Sequence, residues 1–237
     1  MAQHTSTAFD ADLQQLAGAI LEMGVRAQKQ ITDAIDALVT GNVELAQSVK
    51  AKDASIDTLQ QDIEAKAIGT IARRQPLAID LREIVGALRI ASDLERIGDL
   101  AANVAKRAEQ LGSERWTEEI TVALRSMTGR VLDQLRQVVD SYDRRDLVGA
   151  LDVWAKDEEI DALHNSIFRQ LLTYMMEDPG NISLGMHLLF CAKNIERIGD
   201  HATNIAESVH YIVQGGTIPG ERPKVSAVPE NQPPSYH

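Results

Sequence analysis

Two short segments of the chain place carboxylate side chains at a spacing that suits chemistry. Residues 93–99 have the sequence DLERIGD and residues 194–200 have NIERIGD, so a Glu and an Asp lie four positions apart in each segment. Residues four apart on an α-helix differ in direction by about 40°, so both carboxylates project from one face. A second pair at the same spacing precedes each segment, in KDASID and in KDEEID. The candidate residues are Asp53, Asp57, Glu95 and Asp99 in the first half, and Asp157, Asp161, Glu196 and Asp200 in the second.

These carboxylates need a positive partner. Apolar residues such as Ile84 and Leu88 fall within roughly 60° of Glu95 around the helix, so the carboxylates lie on or beside the packing face. Like charges at this spacing cost about 0.2–0.5 kcal/mol, and burial without a partner costs more. One possible partner is arginine, since Arg96 and Arg197 could pair with carboxylates of a neighbouring helix. The other is a bound cation, and oxygen donors without thiolate or a repeated histidine favour Mg, Mn or Fe over a structural Zn site.

The carboxylates belong to an internal repeat. Two segment pairs align at offsets of 104 and 101: residues 46–63 with 150–167, at nine identities in eighteen positions, and residues 88–106 with 189–207, at ten in nineteen. The first helix of each half matches more weakly, at Met23, Arg26, Gln30 and Asp36 against Met127, Arg130, Gln134 and Asp140. A merely solvated helix face should drift between copies, so the repeat favours a functional role. Gly98 and Gly199 strengthen this interpretation, because glycine inside a helix costs about 1 kcal/mol relative to alanine and admits close approach.

Composition excludes several classes of protein. The formal net charge of −11 argues against a nucleic-acid binder and against adsorption to an anionic membrane. The one cysteine, Cys191, cannot form an internal disulfide or a thiolate metal site. No secretory signal is visible, and the apolar stretch at residues 181–192 is shorter than the roughly 20 residues that span a bilayer. We therefore expect a cytoplasmic protein without direct membrane insertion.

The apolar periodicity predicts an all-α fold. Hydrophobic residues make up 44% of the chain and aromatic residues 4%, which suits packing of helix on helix. The six predicted helices are residues 8–40, 43–73, 77–110, 116–143, 147–177 and 182–213. Pro76 and Pro179 separate the second helix from the third in each half. The prediction is two tandem antiparallel three-helix bundles, residues 1–111 and 112–214, followed by a disordered tail at 215–237 that contains five of the seven prolines.

With these motifs, the chain resembles the PhoU family of accessory regulators of bacterial phosphate uptake. The resemblance covers about residues 8–213 and rests on KDASID, ARRQPLAIDLR, LERIGD, AKDEEID, LLTYMMED and FCAKNIERIGD, in family order. It implies two tandem three-helix bundles and multinuclear metal clusters, with iron or zinc as the usual ions. Carried onto this chain, the first cluster consists of Asp53, Asp57, Glu95 and Asp99, and the second of Asp157, Asp161, Glu196 and Asp200.

The resemblance also implies a role without catalysis. PhoU-like proteins are adaptors that couple the phosphate ABC transporter to the phosphate-sensing histidine kinase and keep the phosphate-starvation genes off when phosphate is plentiful. They are commonly homodimers, and they are peripheral to the inner membrane through these partners. The residues alone leave two alternatives open: a carboxylate-bridged dinuclear metalloenzyme, such as a di-iron oxidase or a metal-dependent phosphohydrolase, or a purely structural network of carboxylates and arginines. The lack of a repeated histidine or an evident general base argues against the enzyme.

Overall fold

The fold is all-α, as predicted. A computed structural model describes residues 2–220, with side chains described from Phe9 onward, and this part of the chain contains no β-strand. The helices are α1 (Ala2–Thr40), α2 (Val43–Arg74), α3 (Ala78–Leu111), α4 (Glu118–Arg144), α5 (Leu147–Ala155), α6 (Asp157–Glu177) and α7 (Ile182–Gln214). A 3-10 turn, Pro179–Asn181, precedes α7.

The turn after the first helix is built in the same way in both halves. Gly41 and Arg145 adopt positive φ values of 67° and 56°, which reverses the chain direction. The next residues, Asn42 and Asp146, cap α2 and α5 by accepting hydrogen bonds from backbone N–H groups of the first turn at 2.9 Å and 3.0 Å. Glycine is required at position 41, because a Cβ there would lie 2.5 Å from the carbonyl oxygen of Gly112. This close approach joins the turn between α1 and α2 to the turn after α3.

Both prolines inside the helical region lie between helices, as predicted. Pro76 follows Gln75, which ends α2 in the left-handed conformation at φ 48°. Pro179 begins the 3-10 turn, and the Asp178 side chain caps that turn by accepting a hydrogen bond from the Gly180 N–H at 2.8 Å. Proline suits both places because it lacks the N–H that a helix interior would need.

The predicted single helix over 147–177 is wrong in one respect. The structure divides it into α5 and α6 at Lys156, whose φ and ψ are −92° and 7°. The Lys156 carbonyl accepts from the Glu159 N–H at 3.1 Å, a tighter bond than the α-helical one. It also accepts from the Gln134 side-chain amide at 3.1 Å, so a contact from α4 stabilises the break.

The two halves share one core. Buried aliphatic side chains from both halves form a single contiguous cluster, and α3 packs along α7 at its centre. The two helices run antiparallel: Asp93 Oδ1 lies 2.9 Å from His201 Nδ1, and Arg107 stacks 4.3 Å from the centroid of the Phe190 ring. Helices α1 and α2 complete one bundle around α3, and α4, α5 and α6 complete the other around α7.

Two sequence predictions concern membranes and the C-terminal tail. Within residues 2–220, no helix combines the length and the apolar character that crossing a membrane requires. Residues 215–220 follow α7 outside any helix. Residues 221–237, where most of the predicted disordered tail falls, lie outside the described residues, so that prediction stays a prediction.

Candidate metal centre

The first carboxylate cluster lies where α2 packs beside α3. Asp57, Glu95 and Asp99 each offer an oxygen, and these three oxygens lie within 4.8 Å of one another. All three side chains are partly buried, as is Asp53 one turn before Asp57 on α2. Ile56 of α2 is buried in the core, and the partly buried Asp53 and Asp57 lie beside it at the edge of the contact with α3.

The spacing of these oxygens fits a hard cation. Carboxylate oxygens bind Mg²⁺ at about 2.0–2.1 Å and Ca²⁺ at 2.3–2.6 Å, so oxygens on opposite sides of such an ion are about 4–5 Å apart. Three oxygens within 4.8 Å of one another can therefore contact one ion with small rotamer changes. The donor set of carboxylates without thiolate also suits Mn and Fe.

The electrostatics of the first cluster favour a cation. Burial raises the pKa of Asp53, and the charges of Asp57 and Asp99 raise it further, against the hydrogen bond from Gln30. Burial likewise raises the pKa of Glu95, and Asp99 is the largest charge that adds to this effect. The ionised cluster is thus held in unfavourable surroundings that a bound cation would relieve.

The arginine of the ERIGD motif pairs within its own helix. Arg96 Nε lies 3.5 Å from Glu95 Oε2, and its Nη1 lies 3.3 Å from Asp99 Oδ2. The expected pairing with a neighbouring helix is therefore not what Arg96 does. Because the Arg96 side chain is 60% exposed, these pairs are worth at most about 1 kcal/mol and leave the carboxylates available.

A residue of α1 reaches the first cluster. Gln30 is buried, and its Nε2 donates a hydrogen bond to Asp53 Oδ1 at 3.0 Å. Glycine at position 98 makes room for this contact, since a Cβ there would lie 3.2 Å from Gln30 Oε1 and 3.4 Å from Asp53 Oδ1. The cluster is therefore bounded by three helices.

The second carboxylate cluster has different neighbours. Asp157 is buried, and its Oδ1 accepts a hydrogen bond from Thr203 Oγ1 at 3.0 Å. Lys193 Nζ lies 2.8 Å from Glu196 Oε1 and 2.7 Å from Oε2, so an ammonium group on a 53% exposed side chain pairs with this carboxylate. His164 lies in the field of Glu196 and Asp161; burial lowers the pKa of its imidazole, and these two charges oppose that effect.

The structure thus brings together three of the eight predicted ligands. Among the side chains described, those of residues 9–220, Asp57, Glu95 and Asp99 are the one group of three potential ligands that converge closely. Asp53 lies beside them, held by Gln30. The predicted ligands of the second half do not form such a group: Asp157, Asp161, Glu196 and Asp200.

Sequence reasoning missed the neighbours of both clusters. It overlooked Lys193, Thr203 and His164 as residues in contact or in electrostatic range of the second cluster. A signal existed for Gln30, because it matches Gln134 in the repeat. No periodic pattern marks Lys193, since an exposed lysine on a helix face is ordinary.

Comparison with known proteins decides the family. The sequence profile of the PhoU domain matches residues 20–108 and 124–209. The chain belongs to the PhoU family. Curated relatives named phosphate-specific transport system accessory protein PhoU homologs include one from Rhizobium meliloti, 49% identical over 93% of both chains. A second, from Caulobacter vibrioides, is 45% identical over 96% of this chain and 99% of the relative.

Solved structures of PhoU proteins have the same fold. The crystal structure of PhoU from Pseudomonas aeruginosa matches with a TM-score of 0.84 at 39% identity, covering 88% of this chain and all of that one. The structure of the phosphate transport system regulatory protein PhoU from Streptococcus pneumoniae matches with a TM-score of 0.82 at 28% identity, over 89% and 99% of the two chains. The fold of this chain, with both of its PhoU domains, therefore matches nearly the whole of each of these two PhoU structures.

Proposed function

We propose that this chain is a metal-binding regulatory adaptor of phosphate uptake. The observation that carries the proposal is that its PhoU relatives, matched over nearly their full length, are named accessory proteins of the phosphate-specific transport system. The related structure from Streptococcus pneumoniae is named a regulatory protein of that system.

The proposed partners are the ATPase subunit of the phosphate ABC transporter and the phosphate-sensing histidine kinase. The adaptor acts in the cytoplasm as a homodimer, peripheral to the inner membrane through these partners. It represses the phosphate-starvation response when phosphate is plentiful. The rigid fused bundles offer long helical faces for such contacts.

The first carboxylate cluster would hold the metal, as one ion or as a multinuclear group of Fe, Zn, Mn or Mg. Three converging oxygens, carboxyl pKa values raised by burial and by the neighbouring carboxylates, and the buried amide of Gln30 support a cation there. The second cluster, with Lys193 already on Glu196, is proposed as the weaker of the two.

The regulatory proposal is tested in cells and by pull-down. Deletion of the gene should raise expression of phosphate-starvation genes in high phosphate, and tagged protein should recover the transporter ATPase or the kinase from membranes. Complementation with Asp99→Asn tests whether the first cluster contributes. Unchanged expression together with recovery of neither partner would refute the adaptor role.

The metal proposal has its own measurement. Elemental analysis of protein prepared without chelator should find bound metal that falls in an Asp99→Asn, Asp200→Asn double variant. Equally low metal in both proteins would refute it. Turnover of phosphoesters or of dioxygen by the metal-loaded protein, lost in Glu95→Gln, would instead establish the dinuclear metalloenzyme.

A further inference from the structure

Gln30 is the contact that α1 makes with the first carboxylate cluster. It is 4% exposed, and its Nε2 lies 3.0 Å from Asp53 Oδ1 and 3.5 Å from the Val49 carbonyl oxygen. Both acceptors belong to α2. The amide therefore ties α1 to the segment of α2 that carries the first carboxylate of the motif.

The orientation of the Gln30 amide follows from these contacts. Its Oε1 is fully buried and accepts no hydrogen bond from any described residue. An unsatisfied buried acceptor costs about 1–3 kcal/mol. The two oxygen acceptors of Nε2 offset this cost and hold the amide in the observed orientation. Turning the amide over would place Oε1 against Asp53 Oδ1, which is also an acceptor. In the observed orientation Oε1 faces Gly98, between Glu95 and Asp99 of α3.

We propose that Gln30 is a positioning residue of the metal centre: by donating to Asp53 Oδ1, it holds that carboxylate in one orientation toward a cation bound by Asp57, Glu95 and Asp99. The inference rests on the proposed metal binding. A ligand carboxylate that is hydrogen-bonded in advance loses less conformational entropy when the ion arrives, and its charge points in a fixed direction. On the side of the cluster that α1 covers, the group next to Gly98 is therefore the neutral oxygen Oε1 of Gln30 and not an apolar group.

The repeat supplies a matched control. Gln134 occupies the equivalent position on α4, is 6% exposed, and also has a buried Oε1 that accepts no hydrogen bond from the described residues. Its Nε2 donates to the Lys156 carbonyl oxygen at 3.1 Å rather than to a carboxylate. Both glutamines are therefore buried and have an Oε1 without a hydrogen bond. They differ in the nearest acceptor of Nε2, which is a carboxylate for Gln30 and a backbone carbonyl for Gln134.

The test measures Mn²⁺ binding to full-length, chelator-stripped protein, following free Mn²⁺ by electron paramagnetic resonance. All proteins carry Asp200→Asn, so that binding reports on the first cluster. Gln30→Leu should weaken binding by about 10–100-fold, the effect typical of lost outer-shell partners. Gln134→Leu should leave the affinity unchanged. Because Gln30 acts through Asp53, Gln30→Leu should have no further effect in an Asp53→Ala protein.

The outcomes separate this inference from the proposal on which it rests. Absence of Mn²⁺ binding in the parent protein would refute the metal centre itself. If the parent protein binds Mn²⁺, three results would overturn the role of Gln30. Gln30→Leu could bind as tightly as the parent, or Gln134→Leu could lose as much affinity as Gln30→Leu. The third result is that the losses from Gln30→Leu and Asp53→Ala add in the double variant. Circular dichroism checks that each variant is folded, and Gln30→Met, which keeps the side-chain length without a donor, replaces Gln30→Leu if the latter is unfolded.

Discussion

The two carboxylate clusters have the same four residue types at the same spacing, yet they are neutralised differently. In the first, Asp57, Glu95 and Asp99 point oxygens at one another, and the nearest cation is the exposed side chain of Arg96. In the second, Lys193 lies on Glu196, whose side chain is only 11% exposed. The motif alone therefore does not fix the charges around the carboxylates; residues within one helical turn also contribute.

One position explains much of this difference. The residue that aligns with Lys193 in the first half is Ser92, which cannot supply a charge to Glu95. Similarly, Thr203 donates to Asp157, whereas its counterpart in the first half is Ala102, and Gln30 donates to Asp53 instead. The second cluster thus pairs Lys193 and a hydroxyl donor with its carboxylates, and the first pairs Arg96 and the Gln30 amide with its own.

The largest expected effect is on Mn²⁺ affinity, which a substitution in the first cluster should lower far more than the matching substitution in the second. Asp99→Asn removes one of three converging ligands and should weaken the tightest Mn²⁺ site by more than about 100-fold, beyond the effect of an outer-shell residue. Asp200→Asn should change that site by less than about threefold, since the repeats are separate sites. Isothermal titration of chelator-stripped protein measures both. Equal losses in the two variants would show that the clusters are equivalent.

A smaller effect should follow from exchanging the residues at positions 92 and 193. Lys193→Ser removes the ammonium from Glu196 and should raise Mn²⁺ affinity at the second cluster by up to about fivefold, or about 1 kcal/mol, measured in an Asp99→Asn background. Ser92→Lys should lower affinity at the first cluster by a similar factor, and Ser92→Ala serves as the uncharged control. If Lys193→Ser left the second cluster unchanged, Lys193 would not be what distinguishes it.

The smallest effect concerns stability without metal. The pKa of Glu95 in the folded protein is raised above its ordinary value of 4.5, so its contribution to stability is present below that pH and is lost as pH rises through the raised pKa. Glu95→Gln should therefore lessen the fall in stability between acidic and neutral pH. It should raise Tm at pH 7 by about 1–2 °C, because removing the charge relieves its burial and its repulsion by Asp99, worth roughly 0.5 kcal/mol at this partly exposed site.

The matched variant for stability is Glu196→Gln. It breaks the ion pair with Lys193 and should leave Tm at pH 7 unchanged or slightly lower. Differential scanning calorimetry in the presence of chelator, across a pH series, measures both variants. A rise in Tm for Glu196→Gln as large as that for Glu95→Gln would contradict the contrast between the clusters.

Much of the fold was predictable because its signals are local. Pro76, Pro179 and the cap residues Asn42 and Asp146 mark helix ends by their own backbone chemistry. The break at Lys156 was not predictable, because the same triplet, Ala-Lys-Asp, occurs at residues 51–53 inside the continuous α2. What differs is the tertiary contact. Gln134 donates to the Lys156 carbonyl oxygen at the break, whereas Gln30 donates to the Asp53 side chain and, at 3.5 Å, to the Val49 carbonyl oxygen one turn earlier in α2.

The candidate site was predictable in part for the same reason. Spacing along one helix correctly placed Glu95 and Asp99 on one face, and the repeat pointed to α2 as their partner. Spacing could not place Gln30, because its contact with Asp53 depends on how α1 packs. Nor could it show that Lys193 would turn toward Glu196, since a lysine on a helix surface has several carboxylates within reach.

The antiparallel packing of α3 on α7 has a consequence for how the two halves could diverge. Exchanging the halves carries α3 onto α7 and α7 onto α3, so the contact is of the self-complementary kind found in twofold dimers. In a dimer of identical subunits, any substitution alters both copies of a site. Here both copies lie on one polypeptide, so Lys193 could arise in one cluster while Ser92 stayed in the other. Covalent duplication thereby lets a symmetric scaffold hold two unequal carboxylate clusters.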